Sequence, residues 1–501
     1  MDFKRRAYLA RLTAGSLGFA FLDGKCAESS VDREATGSPR FSVFSGTDAN
    51  AKRFGAIGDS KADDTKALQE WINYLVQNRR RGTLDASEYR ISEPLRIPSG
   101  YEWAIQGEFA GSTRIIQSSD NVPIFDIGTT GSKPLIHTWR IADIELGYAN
   151  DQPASNEHAN PILFSQMACE FSLARLRFAR GSYAIKVKPG IGGPWGGSWD
   201  DLIFESGLSA GAMDWSGCVN GVPNNKWGRF FADCKNMAGP VFKDVRGYNW
   251  VVDTIEFIAA QRGAQLFSIA AGSVVTFGAL KLENGVYRKA TDLIRIATNA
   301  HVQIGQFSIG GNALVIQPEA GAVTLFATAS GGPTGSFAVN TLVAGAAQLG
   351  ERVFLLSGAR GPMRIRNMSL DHHPWHVCDN FATSTGDTLI LDQFKNDRVS
   401  SNIGDTDHTV ALGGPNILSF ESPFTEPRTL DLPTATNDMF NGLYYELRLY
   451  GAVNGENTLK IRCEGVTKFL AKTDNVAIRF TWRRGPTPAT NWIMTSYEVL
   501  P

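Results

Sequence analysis

The chain has almost no excess charge. Its 49 Lys and Arg stand against 50 Asp and Glu, a formal net charge of −1. That balance excludes a generally basic nucleic-acid binder and an acidic disordered tail protein. Cysteine is scarce, with six residues at 26, 169, 218, 234, 378 and 463. None forms a C-x-x-C pair, so no structural zinc site is expected. Cys218 and Cys234 are the candidate disulfide if the chain is exported; otherwise the cysteines read as small buried apolar residues. No run of about 18 apolar residues occurs, so no membrane span is expected. G-x-S-x-G, Walker and dinucleotide fingerprints are also missing. What is abundant is glycine: 51 in 501 residues, about 10% against a usual ~7%. With 43% apolar residues, the composition suits a turn-rich β protein with a large core.

Residues 1–27 carry Arg5-Arg6, then Ala7-Tyr8-Leu9, then a mildly apolar stretch from Leu12 to Leu22. A basic start followed by a short apolar segment is an export pattern, and the paired Arg resembles a twin-arginine signal. A secreted or periplasmic location is therefore expected; the alternative is an amphipathic N-terminal helix of a cytoplasmic or virion protein. Residues 28–45 are small and polar with no period and read as a linker.

Between Asp63 and Gly82, Leu68, Trp71, Ile72 and Leu75 recur at i, i+3, i+4 and i+7. That spacing predicts one amphipathic helix, capped by Asp63 or Asp64 and closed by Arg79-Arg80-Arg81 and Gly82. Short segments of period two follow for some 330 residues, separated by Gly, Asn and Asp; they read as strands. A longer period runs through them. An aromatic is followed six residues later by an acid in Trp139/Glu145, Trp199/Glu205, Trp227/Asp233, Trp250/Glu256 and Phe277/Glu283, with Phe171/Arg177 in one register. A repeat of about 23–32 residues built from short strands predicts a solenoid, because one repeat cannot bury its apolar face alone. The acids lie between apolar neighbours and so face outward. The fold expected over 46–410 is an all-β, parallel β-helix.

The stretch Phe54-Gly55-Ala56-Ile57-Gly58-Asp59-Ser60, Asp63-Asp64-Thr65-Lys66-Ala67-Leu68-Gln69, then Gly82, Tyr89-Arg90-Ile91 and Leu95 resembles the start of the pectate-lyase-like superfamily of right-handed β-helices. That group includes rhamnogalacturonase-like and epimerase-like proteins and phage tailspike depolymerases. The resemblance implies a right-handed solenoid with an N-terminal capping helix. It brings no catalytic residue with it, and Asp59, Asp63 and Asp64 read as caps and turn formers. From about residue 416 to 501 the segments alternate cleanly, with Asn441-Gly442 and Asn454-Gly455 as turn signals. They predict antiparallel hairpins in a small β-sandwich-like domain. In tailspike-like proteins such a domain serves trimerisation or glycan binding, so a homotrimer is implied by the resemblance alone.

The acids carry the candidate chemistry. Successive coils of a parallel solenoid lie about 4.8 Å apart, so stacked outward carboxylates would come within reach of one glycosidic bond. Separations of about 5–5.5 Å suit retaining hydrolysis and about 6.5–9.5 Å inverting hydrolysis. Glu205, Asp233 and Glu256 form the central run and are the candidate catalytic residues. Glu145, Arg177, Arg229, Lys281 and Glu283 flank them as candidate substrate contacts. Trp195, in Gly192-Gly193-Pro194-Trp195-Gly196-Gly197, reads as an exposed loop tip that could stack on a sugar ring. Trp199, Trp227 and Trp250 follow the repeat and belong to the core. The same row of acids also fits a solvated outer face, and two or three of them fit a Ca²⁺ site, the one cofactor the sequence allows. Asp371-His372-His373-Pro374-Trp375-His376 reads as a loop over the groove rather than a metal site.

The leading functional expectation is a secreted enzyme that hydrolyses glycosidic bonds in an extracellular or cell-wall polysaccharide. A polysaccharide lyase is the first alternative, with Arg177, Lys281, Tyr248 and Tyr287 as available bases or cations. A non-catalytic glycan-binding, adhesive or tailspike-type protein is the second.

Overall fold

The computed structural model describes residues 48–500, except 129–134, 220–223, 259, 261–263, 288–290, 311–313, 317–322, 329–335, 345–352, 358–362, 371–375, 380–388, 396–401, 411–416, 435–443, 454–455 and 483–491. The export-like segment, the linker, the His372-His373 run and the turn pairs Asn441-Gly442 and Asn454-Gly455 lie outside the described residues. Among those described, no helix is long and apolar enough to cross a membrane.

The chain forms a right-handed parallel β-solenoid of about 10 turns followed by a small region of separate sheets. Coil stacks on coil through parallel pairing, as in Trp227↔Val252 and Val252↔Phe277. The first coils have three faces. One runs through Arg81–Thr83, Tyr101–Gln106, Leu135–Ala142 and Met167–Ala174. A second runs through Glu88–Ile91, Arg114–Gln117, Glu145–Tyr148 and the start of Arg177–Val187. A third runs through Leu95–Ile97, Phe125–Ile127 and Ile162–Phe164. The first two faces meet at a corner made by Asp143, Arg175 and Asp201, all left-handed with φ of 64°, 50° and 48°. From Lys226–Asp233 onward one longer strand serves both faces.

Alternate residues point inward and fill the core. Trp71, Trp103, Trp139, Trp199, Trp215, Trp227 and Trp250 are fully buried. Rings from successive coils stack, with centroids 5.2 Å apart for Trp103–Trp139 and 4.8 Å for Trp139–Phe171. Trp199, Trp227 and Trp250 are therefore core residues, as expected. Cys169, Cys218, Cys234 and Cys463 are buried free thiols, which overturns the candidate Cys218–Cys234 disulfide. Burial pushes the Cys218 thiol up to about 12.

The predicted helix spans Thr65–Asn78 and buries Leu68, Trp71, Ile72, Leu75 and Val76. Its capping differs from the expectation in detail. Asp64 occupies the cap position without a side-chain cap bond; its carboxylate accepts the Ile57 and Gly58 N–H groups at 2.6 and 3.0 Å. Asp63 accepts the Thr65 N–H at 3.0 Å. Gly82 lies inside strand Arg81–Thr83 rather than serving as the helix stop. Arg79, left-handed at φ 51°, ends the helix instead. The helix seats directly on Gly82, where an added Cβ would lie 2.4 Å from both Leu75 and Trp71.

The C-terminal region holds two four-stranded sheets. Strands Leu459–Cys463 and Val466–Ala471 form an antiparallel hairpin, turning through Glu464 and Gly465, both with positive φ, as a tight hairpin requires. Tyr444–Leu449, Val476–Trp482 and Trp492–Val499 are also antiparallel. Each sheet begins, however, with parallel steps: His408–Thr409 beside Arg428–Asp431 and Ile417–Phe420 beside Tyr444–Leu449. Strand alternation is the same in both pairings, so period alone does not separate them.

Two predictions follow from this packing. Gly82→Ala forces its methyl into Trp71 and Leu75, and should cost about 1–3 kcal/mol in denaturant unfolding. Asp126, on the third face, has a buried Oδ1 with no hydrogen-bond partner among the described residues, and burial raises its carboxyl above the usual range. A raised carboxylate opposes folding above its folded pKa and ceases to do so once protonated. Asp126→Asn should therefore raise the melting temperature at pH 7, with the gain shrinking as pH falls through the acidic range.

Candidate active site

The outward residues form two adjacent columns along the second face. The first reads Glu88, Arg114, Glu145, Arg177, Ile203, Phe231, Glu256, Lys281, through pairings that join each to the next. The second lies two residues further along each strand. It begins Arg90, Ile116, Gly147. Phe204 pairs with Ala232, so Glu205 and Asp233, which follow them, stand on successive coils of this column. Glu283 belongs to the same column, opposite Ile258 and beyond Asp233.

This overturns the expected single stack of five acids. The aromatics are not all level: Trp199 is level with Trp227, but Trp250 pairs with Val275 and Val252 takes the level of Trp227. Trp139 is likewise level with Phe171, whereas Trp199 is level with Leu173. Each slip is two residues, which keeps a side chain on its face but moves it one column along. Glu145 and Glu256 therefore stand in the first column, and Glu205, Asp233 and Glu283 in the second.

Bases separate the acids of the first column. Arg114 bridges Glu88 at 2.5 Å and Glu145 at 2.9 Å. Arg177 lies 3.8 Å from Glu145 and makes a close ion pair with Glu205. Further along, Lys281 bridges Glu256 at 3.1 Å and Glu283 at 2.5 Å. The Glu283 and Glu256 carboxylates hold its ammonium above the usual lysine range. Like charges about 4.8 Å apart would repel, and the alternation removes that cost. Glu145, only 7% exposed, depends on it most.

The columns bound an open groove of about 650 Å³. Glu88, Arg114 and Glu145 form one wall, Ile116, Gly147 and Ala179 a floor of small or apolar residues, and Glu205, Ser206, Gly207 and Asn236 the far end. Arg180 is fixed beside it by the Ala149 carbonyl at 2.6 Å and Asp151 at 3.3 Å. Four acids (Glu88, Glu145, Asp151, Glu205) and three bases (Arg90, Arg114, Arg180) line the groove, so its charge is nearly balanced. Asp233 is half-buried just beyond, accepting the Lys235 N–H at 3.1 Å. Beside Glu205 and Asp233, two residues back on the same strands, Ile203 and Phe231 present apolar side chains; Ile203 is 38% exposed.

Other candidates fall elsewhere. Arg229 does not flank Asp233; it pairs with Asp201 at 2.8 Å and is largely exposed. Trp195 is not an exposed tip. It is partly buried against the core, and its backbone is tied to Ala168 and Glu170, because the Gly-rich loop lies along strand Met167–Ala174. The acids proposed for Ca²⁺ are mostly bound to Arg or Lys, and among the described residues no three His, Cys, Asp or Glu converge. Glu88, Arg114, Arg180 and Asn236 were not anticipated. The signal for the first two was the alternation Glu88-Tyr89-Arg90-Ile91 and Arg114-Ile115-Ile116, upstream of the first aromatic–acid pair.

The molecule is thus a right-handed parallel β-helix protein with a polar outer groove. No family model matches the chain, and no curated protein does. Solved structures resemble it at low identity. The surface adhesin PfbA of Streptococcus pneumoniae is 11% identical, with 68% of this chain and 97% of that chain covered and a TM-score of 0.40. The gp42 tailspike of Acinetobacter phage vb_AbaP_AS12 is 11% identical, covering 85% and 64% with a TM-score of 0.46. The catalytic unit of a GH87 alpha-1,3-glucanase from Streptomyces thermodiastaticus is 12% identical, covering 70% and 69% with a TM-score of 0.37. They are right-handed β-helix proteins, and the likeness concerns the fold alone.

The ladder can be tested apart from any activity. Arg114→Ala removes hydrogen-bonded charge from a nearly buried Glu145 and should cost about 1–3 kcal/mol of unfolding free energy. Arg229→Ala breaks only an exposed pair and should stay within about 0.5 kcal/mol. Equal effects of the two would contradict the ladder's structural weight.

Proposed function

We propose that the outer groove binds a polysaccharide of low net charge, and that Glu205 and Asp233 hydrolyse its glycosidic bond. The observation that carries this reading is the end of the groove. There, two carboxylates on successive coils stand beside the apolar side chains of Ile203 and Phe231. Sugars present an apolar C–H face and a hydroxyl rim, and such a site offers surface to both. Their backbones lie on adjacent coils about 4.8 Å apart, which supports pairing them as the acid and the nucleophile or base that glycoside hydrolysis uses. Balanced groove charge favours a neutral or weakly charged glycan over a polyuronate, and so hydrolysis over β-elimination. The N-terminal export pattern fits a substrate outside the cell.

A second reading is binding without cleavage. It is favoured by the Arg177 ion pair on Glu205, which leaves Asp233 as the carboxylate of the two with no basic partner among the described residues. Purified protein incubated with a polysaccharide panel separates the readings. New reducing ends are expected. Glu205→Gln and Asp233→Asn should each lower their rate by about 10²–10⁴-fold, Asp233→Asn with an unchanged unfolding transition. Gly147→Leu, which fills the groove floor, should abolish glycan binding as well. Ultraviolet-absorbing unsaturated ends would instead mean a lyase, and retention of glycan without products would mean a binding protein.

A further inference from the structure

A second polar site lies on the first face, around the corner from the groove. Arg81, Ala104, Arg140 and Ser172 follow one another up this face in a single outward column. Arg81 and Arg140 are thus two coils apart, about 10 Å between backbones. The residue between them, Ala104, offers only a methyl group and leaves the space over it to the two guanidinium arms. Arg175, at the corner of the next coil, reaches the same region.

Two of the three guanidinium groups are neutralised. Arg175 makes a bidentate pair with Asp143 at 2.5 and 2.6 Å. Arg81 lies 3.4 Å from Asp48. Arg140 has neither a hydrogen bond nor an ion pair among the described residues, and its Nε is buried without a partner. The direct ion-pair partners of these three cations are thus two carboxylates, Asp48 and Asp143, with Asp200 and Asp201 also near Arg175. Burial disfavours the Arg140 charge most, Arg175 and Arg81 add to that, and Asp143, held by Arg175, offsets only part of it. On the second face, by contrast, Glu145, Arg177, Glu256 and Lys281 are paired along or between the columns. An unsatisfied, half-buried guanidinium between two others is costly unless an anion completes it.

We propose that Arg140, with Arg81 and Arg175, binds a compact oxyanion: a sulfate or phosphate group, or the acidic group of a sugar. A planar guanidinium with no partner among the described residues matches two oxygens of such a group. Ser172, next in the column, offers a hydroxyl on the other side. None of these residues lines the groove, so the site stands whether or not the groove hydrolyses a glycan.

Inorganic sulfate is the probe, titrated by calorimetry at constant ionic strength against chloride. Wild-type protein should bind it at one site. Arg140→Gln should weaken binding by about tenfold or more, and Arg140→Lys, which keeps the charge but loses the fork, should also weaken it. Lys460→Gln, in the C-terminal sheets, should change nothing. In sulfate-free buffer Arg140→Gln should melt no lower than wild type, because it removes an uncompensated charge. Equal sulfate binding by wild type and Arg140→Gln, no binding by wild type, or a lower melting temperature of Arg140→Gln without sulfate would each overturn the proposal. Glucuronate and a sulfated monosaccharide, titrated alongside, separate the sources. Tighter binding of either than of sulfate assigns the site to an acidic glycan, and tighter sulfate binding assigns it to a free anion.

Discussion

Parallel coils stacked in register are the constraint on which everything else in this molecule depends. A coil of short strands buries nothing by itself; it is stable only because the next coil lies about 4.8 Å away. That spacing acts on both sides of the wall at once. Inside, it suits flat rings, and Trp103, Trp139 and Phe171 stack with centroids 5.2 and 4.8 Å apart. Outside, the same spacing brings each charged residue against the one above. A column of one sign would work against folding. Glu88, Arg114, Glu145 and Arg177 alternate, so the repulsion becomes attraction and a 7%-exposed Glu145 is tolerated.

Where the alternation stops, the surface changes character. After Arg177 the column continues with Ile203 and Phe231, and charge resumes only at Glu256. Arg177, with no acid above it, turns to the neighbouring column and takes Glu205. Glu205 and Asp233 consequently stand next to apolar surface rather than within the charged wall. Stability alone would extend the ladder. A break of two coils, with carboxylates beside it, is a departure from local consistency, and it supports the proposed site.

Most of the architecture was legible because it is written in periods. The helix followed from Leu68, Trp71, Ile72 and Leu75. The strands followed from alternation, and the outward direction of the acids from their apolar neighbours. The column an acid occupies was not legible. A slip of two residues between coils leaves the alternation unchanged, so Trp250/Glu256 and Trp227/Asp233 look equivalent in sequence while standing in different columns. Trp195 misled for another reason. Four glycines around it signal a loop, but they do not say that the loop is tied to Ala168 and Glu170 along a neighbouring strand. Arg140 gave no signal at all, since a missing partner is visible only in three dimensions.

The groove itself is a consequence of side-chain size within one column. Arg90 and Ile116 lead to Gly147, then to Ala179 and Glu205 on the coils above. The first column keeps full-length charged side chains at the same levels, and so stands above the floor as a wall. Two small residues on successive coils are enough to cut a trough, because neither neighbouring coil can reach across the gap they leave. Further along, from Lys226–Asp233, the corner of left-handed residues disappears and the two faces run together in single strands. There the second column carries Ile258 and Glu283 in place of small residues, and the trough ends. The position of the groove near the N-terminal coils thus follows from two features of the chain, small residues in one column and a corner that persists only as far as Asp201.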